Sequence, residues 1–438
     1  MCAQGIKALK KTTDACYAVL KRIEATVLSG FRVLWSAHAR RCNGPIRRNG
    51  GPRPILEVTL MMRAIGLTCV VLACGPVFAD EGPLGPEPPG LAVTGAEPFP
   101  AMNALFDRTE GWIGADGVHS LPLGDGETLW LFSDTWVGAV RDGKRQDATI
   151  VNNTAAIQRG RAEDATVRFV VCGEDVNEPR ALITPADGKG WFWLQAGAMV
   201  NGGLAVFLSQ IEKTADPGVF GFRQVGQWLG TIGNPQDDPL SWRVEQKRLP
   251  HGIYTDTRIL SFGAALLRRG DMLYIYGTDE DIHPTARDRY LIAARVPVAR
   301  VAEFTAWEFL HAGTWQPDFW KSSRLVPNMA SDCSVGYLAE RRQYVLVYTE
   351  GGLSERILIR TAPEPRGPWS EAVVAYHCPE ARWDPRIFCY NARAHPVFSS
   401  GDTLVVSYVA NSFDFWHVAT DARLYWPRFI RVHLGFEE

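Results

Sequence analysis

Asp116 and Asp134 stand eighteen residues apart, and the midpoint between them is Asp125, the centre of Gly124-Asp125-Gly126. That Gly-rich turn joins two short runs, Gly117 to Leu123 and Thr128 to Phe132, of the kind that pair as a hairpin. Antiparallel pairing about this centre sets the two carboxylates opposite one another, with Cβ atoms roughly 5 Å apart. Like charges at that distance repel and push one pKa upward. Glycosidic bond cleavage uses such an arrangement, because one carboxyl must hold a proton while the other is ionised. Carboxyl groups about 5–5.5 Å apart go with retention and about 6.5–9.5 Å with inversion, and a flat hairpin favours the shorter distance. The competing reading is ordinary turn chemistry, since Asp-Gly and Ser-Asp-Thr also suit loops and strand ends.

Beyond the pair, short alternating strands dominate from residue 110 onward and helical periodicity is scarce. One pattern recurs: a turn, a strongly apolar strand, then a polar residue. It appears at Leu129 to Asp134, Leu204 to Ser209, Leu273 to Asp279, Val345 to Glu350 and Leu404 to Tyr408. The steps of about 60 to 75 residues leave room for four strands each. Tyr290 to Val296 and Arg356 to Thr361 read as third strands, with outer strands beginning near Trp307 and Trp369. Five such units describe an all-β fold, a five-bladed β-propeller with four-stranded antiparallel blades around a central channel. A β-sandwich is the alternative, but it leaves the period unexplained.

In a propeller the equivalent strand ends converge on one mouth, where a pocket forms. Asp332 and Glu350 in the fourth unit are also eighteen residues apart, centred on Arg341, which makes Glu350 a reserve acid with Asp332 behind it. The third unit ends in Asp279-Glu280-Asp281. This much acid could hold Ca²⁺ through oxygen ligands, although no cofactor is required by any other motif. Trp112 and Trp136 flank the carboxylate pair as candidate stacking platforms for sugar, or as packing. Asn152, Asn153, Asn391 and His395 are candidate contacts to sugar hydroxyls, each with an equally ordinary structural role.

Gly114-Ala115-Asp116-Gly117, Leu129 to Thr135 (LWLFSDT), Val151-Asn152-Asn153-Thr154, Tyr390 to Pro396 (YNARAHP), Ser407 to Asn411 and Trp426 to Ile430 together resemble the domain-of-unknown-function 4185 group. The likeness spans about residues 105–435. It implies a relation to five-bladed furanosidase-type hydrolases of the endo-arabinanase kind, with Asp116 and Asp134 as the working pair. Relatives tend to carry an acidic Gly-Asp-Gly element in the second unit, whereas this chain has Gln195-Ala196-Gly197-Ala198. Substrate or activity can therefore differ. A non-catalytic propeller that binds carbohydrate or protein at the same mouth is the rival class.

Forty-six basic and 48 acidic residues leave no net field to attract nucleic acid or an anionic membrane. Met62-Arg63, the apolar run Ala64 to Ala73 and Val77-Phe78-Ala79 form a signal-peptide pattern. Translation then starts at Met61 or Met62, and the expected organisation is a mis-assigned extension over 1–61, a signal over 62–79, a Pro/Gly-rich linker over 80–100 and a catalytic propeller over 101–438. The product is secreted or periplasmic and monomeric, touching a membrane only through a lipid anchor at Cys74 if the signal is of the lipoprotein type. Four cysteines remain after the signal, and Cys378 and Cys389 are close enough in sequence to pair.

Overall fold

The computed structural model describes residues 90–436 except 162–163, 174–177, 217–220 and 285. The extension, the signal pattern and Cys74 lie outside the described residues. What is described is nearly all β, in antiparallel sheets that follow one another along the chain.

Strand β1 (Leu91–Pro98), helix α1 (Pro100–Phe106) and β2 (Glu110–Ala115) lead into the first four-stranded sheet. Its strands are β3 (His119–Gly124), β4 (Glu127–Phe132), β7 (Thr154–Arg159) and β8 (Thr166–Val170). Between β4 and β7 run β5 (Thr135–Arg141) and β6 (Lys144–Val151), which join β2 in a separate three-stranded sheet. The second sheet is β9 (Trp191–Val200), β10 (Gly203–Lys213), β11 (Phe222–Ile232) and β12 (Val244–Arg248). The third runs β13 (Ile253–Tyr254), β14 (Arg258–Arg269), β15 (Met272–Ile282), β16 (Arg287–Pro297), β17 (Glu308–His311) and β18 (Thr314–Gln316). The fourth is β19 (Cys333–Leu338), β20 (Gln343–Thr349), β21 (Arg356–Ala362) and β22 (Val373–His377). The fifth is β23 (Ile387–Ala394), β24 (Thr403–Ser412) and β25 (Pro427–Phe436), with helix α2 (Phe415–Thr420) between the last two; β1 supplies its outer strand.

Each apolar run that marks the sequence repeat lies on an inner strand of its sheet, with a neighbour on either side, which is why these strands are so thoroughly buried. Their side chains fill cores between neighbouring sheets. Leu121, Leu129 and Leu131 meet Phe192, Leu194, Leu204, Val206 and Leu208 between the first and second sheets. Phe207 meets Phe262 and Ile275 between the second and third, and Tyr276 meets Leu346 and Tyr348 between the third and fourth. Val347 and Ile359 meet Val406 and Ile430 between the fourth and fifth. The fifth sheet packs on the first through Val405, Val409 and Phe429 against Trp130 and Phe132, with Met102 and Phe106 of α1 filling the gap.

Residues 91–98, read from sequence as the end of a linker, are therefore a strand paired with β25 over Leu91↔Phe436 to Pro98↔Ile430. The Pro/Gly-rich composition before it concealed a strand whose partner lies at the far end of the domain. The cysteines Cys172, Cys333, Cys378 and Cys389 are free thiols, so the local pairing of Cys378 with Cys389 is not formed.

Candidate functional site

The hairpin turn has Asp125 at φ 52° and Gly126 at φ 77°, the two left-handed residues of a tight two-residue connection. The register His119↔Leu131 and Leu121↔Leu129 continues to Ala115↔Thr135 of the neighbouring sheet. One ribbon thus crosses from one sheet to the other, and Asp116 and Asp134 sit at the crossing. The Asp116 N–H donates to the Asp134 carbonyl at 3.2 Å, and the Ser133 N–H to the Asp116 carbonyl at 3.0 Å. The glycines near Asp116 are explained by this crowding. A Cβ on Gly114 would lie 2.2 Å from the Tyr425 carbonyl, and one on Gly117 would lie 2.8 Å from the Ser133 nitrogen.

The two carboxylates are held differently. Tyr390 Oη and Tyr425 Oη both donate to Asp116 Oδ2, at 2.7 and 2.9 Å, while Oδ1 is buried without a partner. Burial, and then the charge of Asp134, push the Asp116 pKa up to about 8 against the pull of the two tyrosines. Asp134 accepts from Asn152 Nδ2 at 3.1 Å and Trp193 Nε1 at 2.8 Å, both on Oδ1. Burial raises its pKa to about 6, and those two donors restrain the rise. With these values Asp116 is protonated near neutrality while Asp134 is ionised, and both side-chain donors to Asp134 lie on one oxygen. The tyrosines belong to the fifth sheet and the loop before β25, whereas Trp193 belongs to the second sheet. Asp116 is thus held from the fifth sheet and the loop before β25, and Asp134 from the second sheet and from Asn152 between β6 and β7.

A third carboxylate adjoins them. Asp332 lies at the start of the fourth sheet and its charge adds to the rise at Asp116. Arg393 Nη2 donates to Asp332 Oδ1 at 2.8 Å. The Asn391 amide fits between Asp332 Oδ2 and the Gly117 N–H, with both contacts at 3.0 Å. Arg393 also donates to Nδ1 of buried His119, whose pKa is held well below normal by burial and then by that guanidinium.

Other sequence candidates lie elsewhere or do other work. Glu350 is not opposite Asp332: the register Cys333↔Tyr348 places Thr349 there, and a slip of one residue turns a side chain to the other face. Glu350 instead forms a two-pronged bond with Arg356, both contacts 2.6 Å. Asp279 is 1% exposed and gripped by Arg258 and Arg324. Glu280 is paired with Arg287 and Arg289, and Asp281 with Arg324. These arginines take up the charge that suggested a cation site, and among the described residues no cluster of His, Cys, Asp and Glu is arranged to hold a metal. Trp112 is 2% exposed and stacks on Phe169 at 4.4 Å; Trp136 is 5% exposed, between Phe415 and Arg145. Both are core, not platforms. Asn153 is fully buried and ties Ile183 to Phe192. His395 is buried between the hydroxyls of Ser120 and Ser407, each 2.8 Å away.

Sequence reading missed Tyr390, Tyr425 and Trp193 as site residues. Tyr390 and Tyr425 sat inside or beside motifs already noticed, but nothing local marks a phenol that will reach a carboxylate 274 or 309 residues away.

A family model described as a domain of unknown function, DUF5005, matches residues 100–434; the group expected from the motifs was a different one. No curated protein matches the sequence. Among solved structures, a candidate hydrolase from Bacteroides ovatus is 20% identical with a TM-score of 0.62, covering 77% of this chain and 90% of that one. A thermostable family-43 glycoside hydrolase is 12% identical, with a TM-score of 0.41 and coverage of 76% and 93%. An α-L-arabinofuranosidase from Podospora anserina is 10% identical, with a TM-score of 0.41 and coverage of 78% and 96%. The first of these shares the fold.

Proposed function

We propose, from the premise that this chain belongs to the DUF5005 family, that it is a secreted glycoside hydrolase built as a five-bladed β-propeller. Each of the five main sheets is a blade, with the fifth completed by β1. The reading rests on one observation above all: two carboxylates meet across a hairpin, and burial together with the charge of Asp134 pushes Asp116 further up, to about 8, than Asp134, at about 6. Asp116 is the general acid, giving its proton to the leaving-group oxygen. Asp134, oriented by Asn152 and Trp193, works on the other side of the sugar. Asp134 is the nucleophile of a retaining reaction or the base of an inverting one, and the stereochemistry of the product distinguishes the two. Asp332, paired with Arg393, adds a smaller rise to the Asp116 pKa after burial and Asp134.

The substrate class is a polysaccharide, with arabinofuranosyl linkages the first to be tried because of the motif resemblance. Secretion rests on the sequence of residues 62–79. Incubating the protein with a panel of polysaccharides and assaying reducing ends tests the proposal: release by the wild type that is lost in Asp134→Asn and in Asp116→Asn supports it. Proton NMR of the first-formed anomer then reads the stereochemistry. Release that persists in both variants would overturn the assignment of the pair.

A further inference from the structure

Four of the large apolar side chains exposed among the described residues come from the connections at the site end of the fifth sheet: Phe413 at 51%, Phe415 at 40%, Trp416 at 73% and Trp383 at 45%. They lie on the connection around α2 and on the segment before β23. The segments are held tightly in spite of that exposure. Arg386 bonds both Asp384 and Asp414, at 2.8 to 3.0 Å, and the Phe413 N–H donates to the Arg386 carbonyl at 3.0 Å. Asp414 accepts from the Trp416 N–H at 3.0 Å. Arg145, buried beneath, donates to the carbonyls of Val418, Asp421 and Leu424. Phe415 is stacked on Trp136 at 5.7 Å.

These rings are also continuous with the acid. Phe413 packs on Phe388 with centroids 4.6 Å apart, Phe388 on Tyr390 at 5.5 Å, and Tyr390 donates to Asp116. Arg423 and Arg428 lie over the Trp383 ring at 4.9 and 5.7 Å, so the surface offered to a ligand is chiefly that of Trp416, with Phe415 beside it at 5.8 Å. Rigid aromatic faces presented to water, beside paired charges able to bond hydroxyls, match the alternating apolar and polar surfaces of a sugar ring. A pre-ordered face also loses little freedom on binding.

We propose that this aromatic ridge holds the leaving-group side of a glycan chain, the sugars whose linking oxygen takes the proton from Asp116. The inference rests on the hydrolase reading for its direction, because the acid side of the bond is the side on which the departing chain lies. It makes the substrate a chain of several sugars extending over the fifth sheet, as opposed to a small glycoside.

The test separates binding from cleavage. In the Asp134→Asn background, affinity electrophoresis through gels containing arabinan, arabinogalactan, arabinoxylan or mixed-linkage glucan should show retardation by at least one polymer. Trp416→Ala and Phe415→Ala should each weaken that retardation about tenfold, and the double variant should abolish it. Trp416 is mostly in water, so its loss should leave the melting temperature unchanged, which guards against misfolding. The fluorescence of the wild type should shift to the blue on adding the retarding polymer, and that shift should be absent in Trp416→Ala. Retardation that depends on Trp416 without cleavage by the wild type would keep the ridge and sink the hydrolase reading. Cleavage by the wild type with retardation unaltered in the double variant overturns the ridge, as does a failure of every polymer to retard the protein. Self-association lost in Trp416→Ala would assign the ridge to a second copy of the chain and overturn the proposal as well.

Discussion

The division of labour between Asp116 and Asp134 comes from burial of both and from the charge of Asp134 beside Asp116, and it makes activity a function of pH with two limbs. Activity should rise as Asp134 ionises near pH 6 and fall as Asp116 loses its proton near pH 8. Trp193→Phe or Asn152→Ala removes a donor to the ionised form of Asp134, so the acid limb should move up by about one unit. Tyr425→Phe removes a donor to ionised Asp116 and should move the alkaline limb upward instead; a rate profile measured from pH 4 to 10 distinguishes the two. The same raised pKa values bear on stability. Folded Asp116 keeps a proton that the unfolded chain releases near its ordinary value of 3.8, so the folded state loses stability as pH rises from about 4 to about 8. Asp116→Asn should flatten that dependence and stabilise the protein at neutral pH by roughly 1–2 kcal/mol, read as a higher melting temperature. The residues that set these values were only half visible beforehand. The acids announce themselves by spacing within one hairpin, but Tyr390, Tyr425 and Trp193 arrive from other sheets, and no local pattern encodes that meeting.

At the level of single elements, the ribbon of β3, β4, β2 and β5 was legible because its turn residues dictate the register. In the fourth sheet the same arithmetic failed. The turn between β19 and β20 includes Arg342 at φ 53°, and the pairing Leu338↔Gln343 is displaced by one residue from a ribbon centred on Arg341. Glu350 consequently faces Arg356 and not the pair. Crowding in the first ribbon also makes a prediction. Gly114 adopts φ 140° with the Tyr425 carbonyl against it, so Gly114→Ala must push the Tyr425 loop away. The variant should lose about 1–3 kcal/mol of stability and shift the alkaline limb in the same direction as Tyr425→Phe. Denaturant melts and a pH profile on one preparation would show both effects, and a shift of neither would mean that the loop yields without moving the phenol.

The repeat spacing foretold a molecule made of similar sheets, and the apolar inner strands made their order readable. It did not reveal which segment finishes the last sheet, because β1 is short, is preceded by Pro and Gly, and borrows its pairing from a strand more than 300 residues later. Removing residues 91–98 strips the outer strand from β25 and uncovers the core between the fourth and fifth sheets, against which Val93 and Ala96 pack. A chain that starts at residue 99 should therefore melt several degrees below one that starts at residue 90, with an apparent loss of roughly 2–4 kcal/mol. Equal melting temperatures would show that β1 is dispensable.

The pairing of β1 with β25 makes completeness a condition for chemistry. During synthesis the earliest strand of the domain waits for the latest, and the two phenols that grip Asp116 belong to the same late region, Tyr390 on β23 and Tyr425 just before β25. A polypeptide released early by the ribosome, or clipped before residue 390, retains both aspartates yet lacks both phenols that hold Asp116. Such a molecule carries the two acids without the phenols that hold one of them, and it lacks the strand with which β1 pairs.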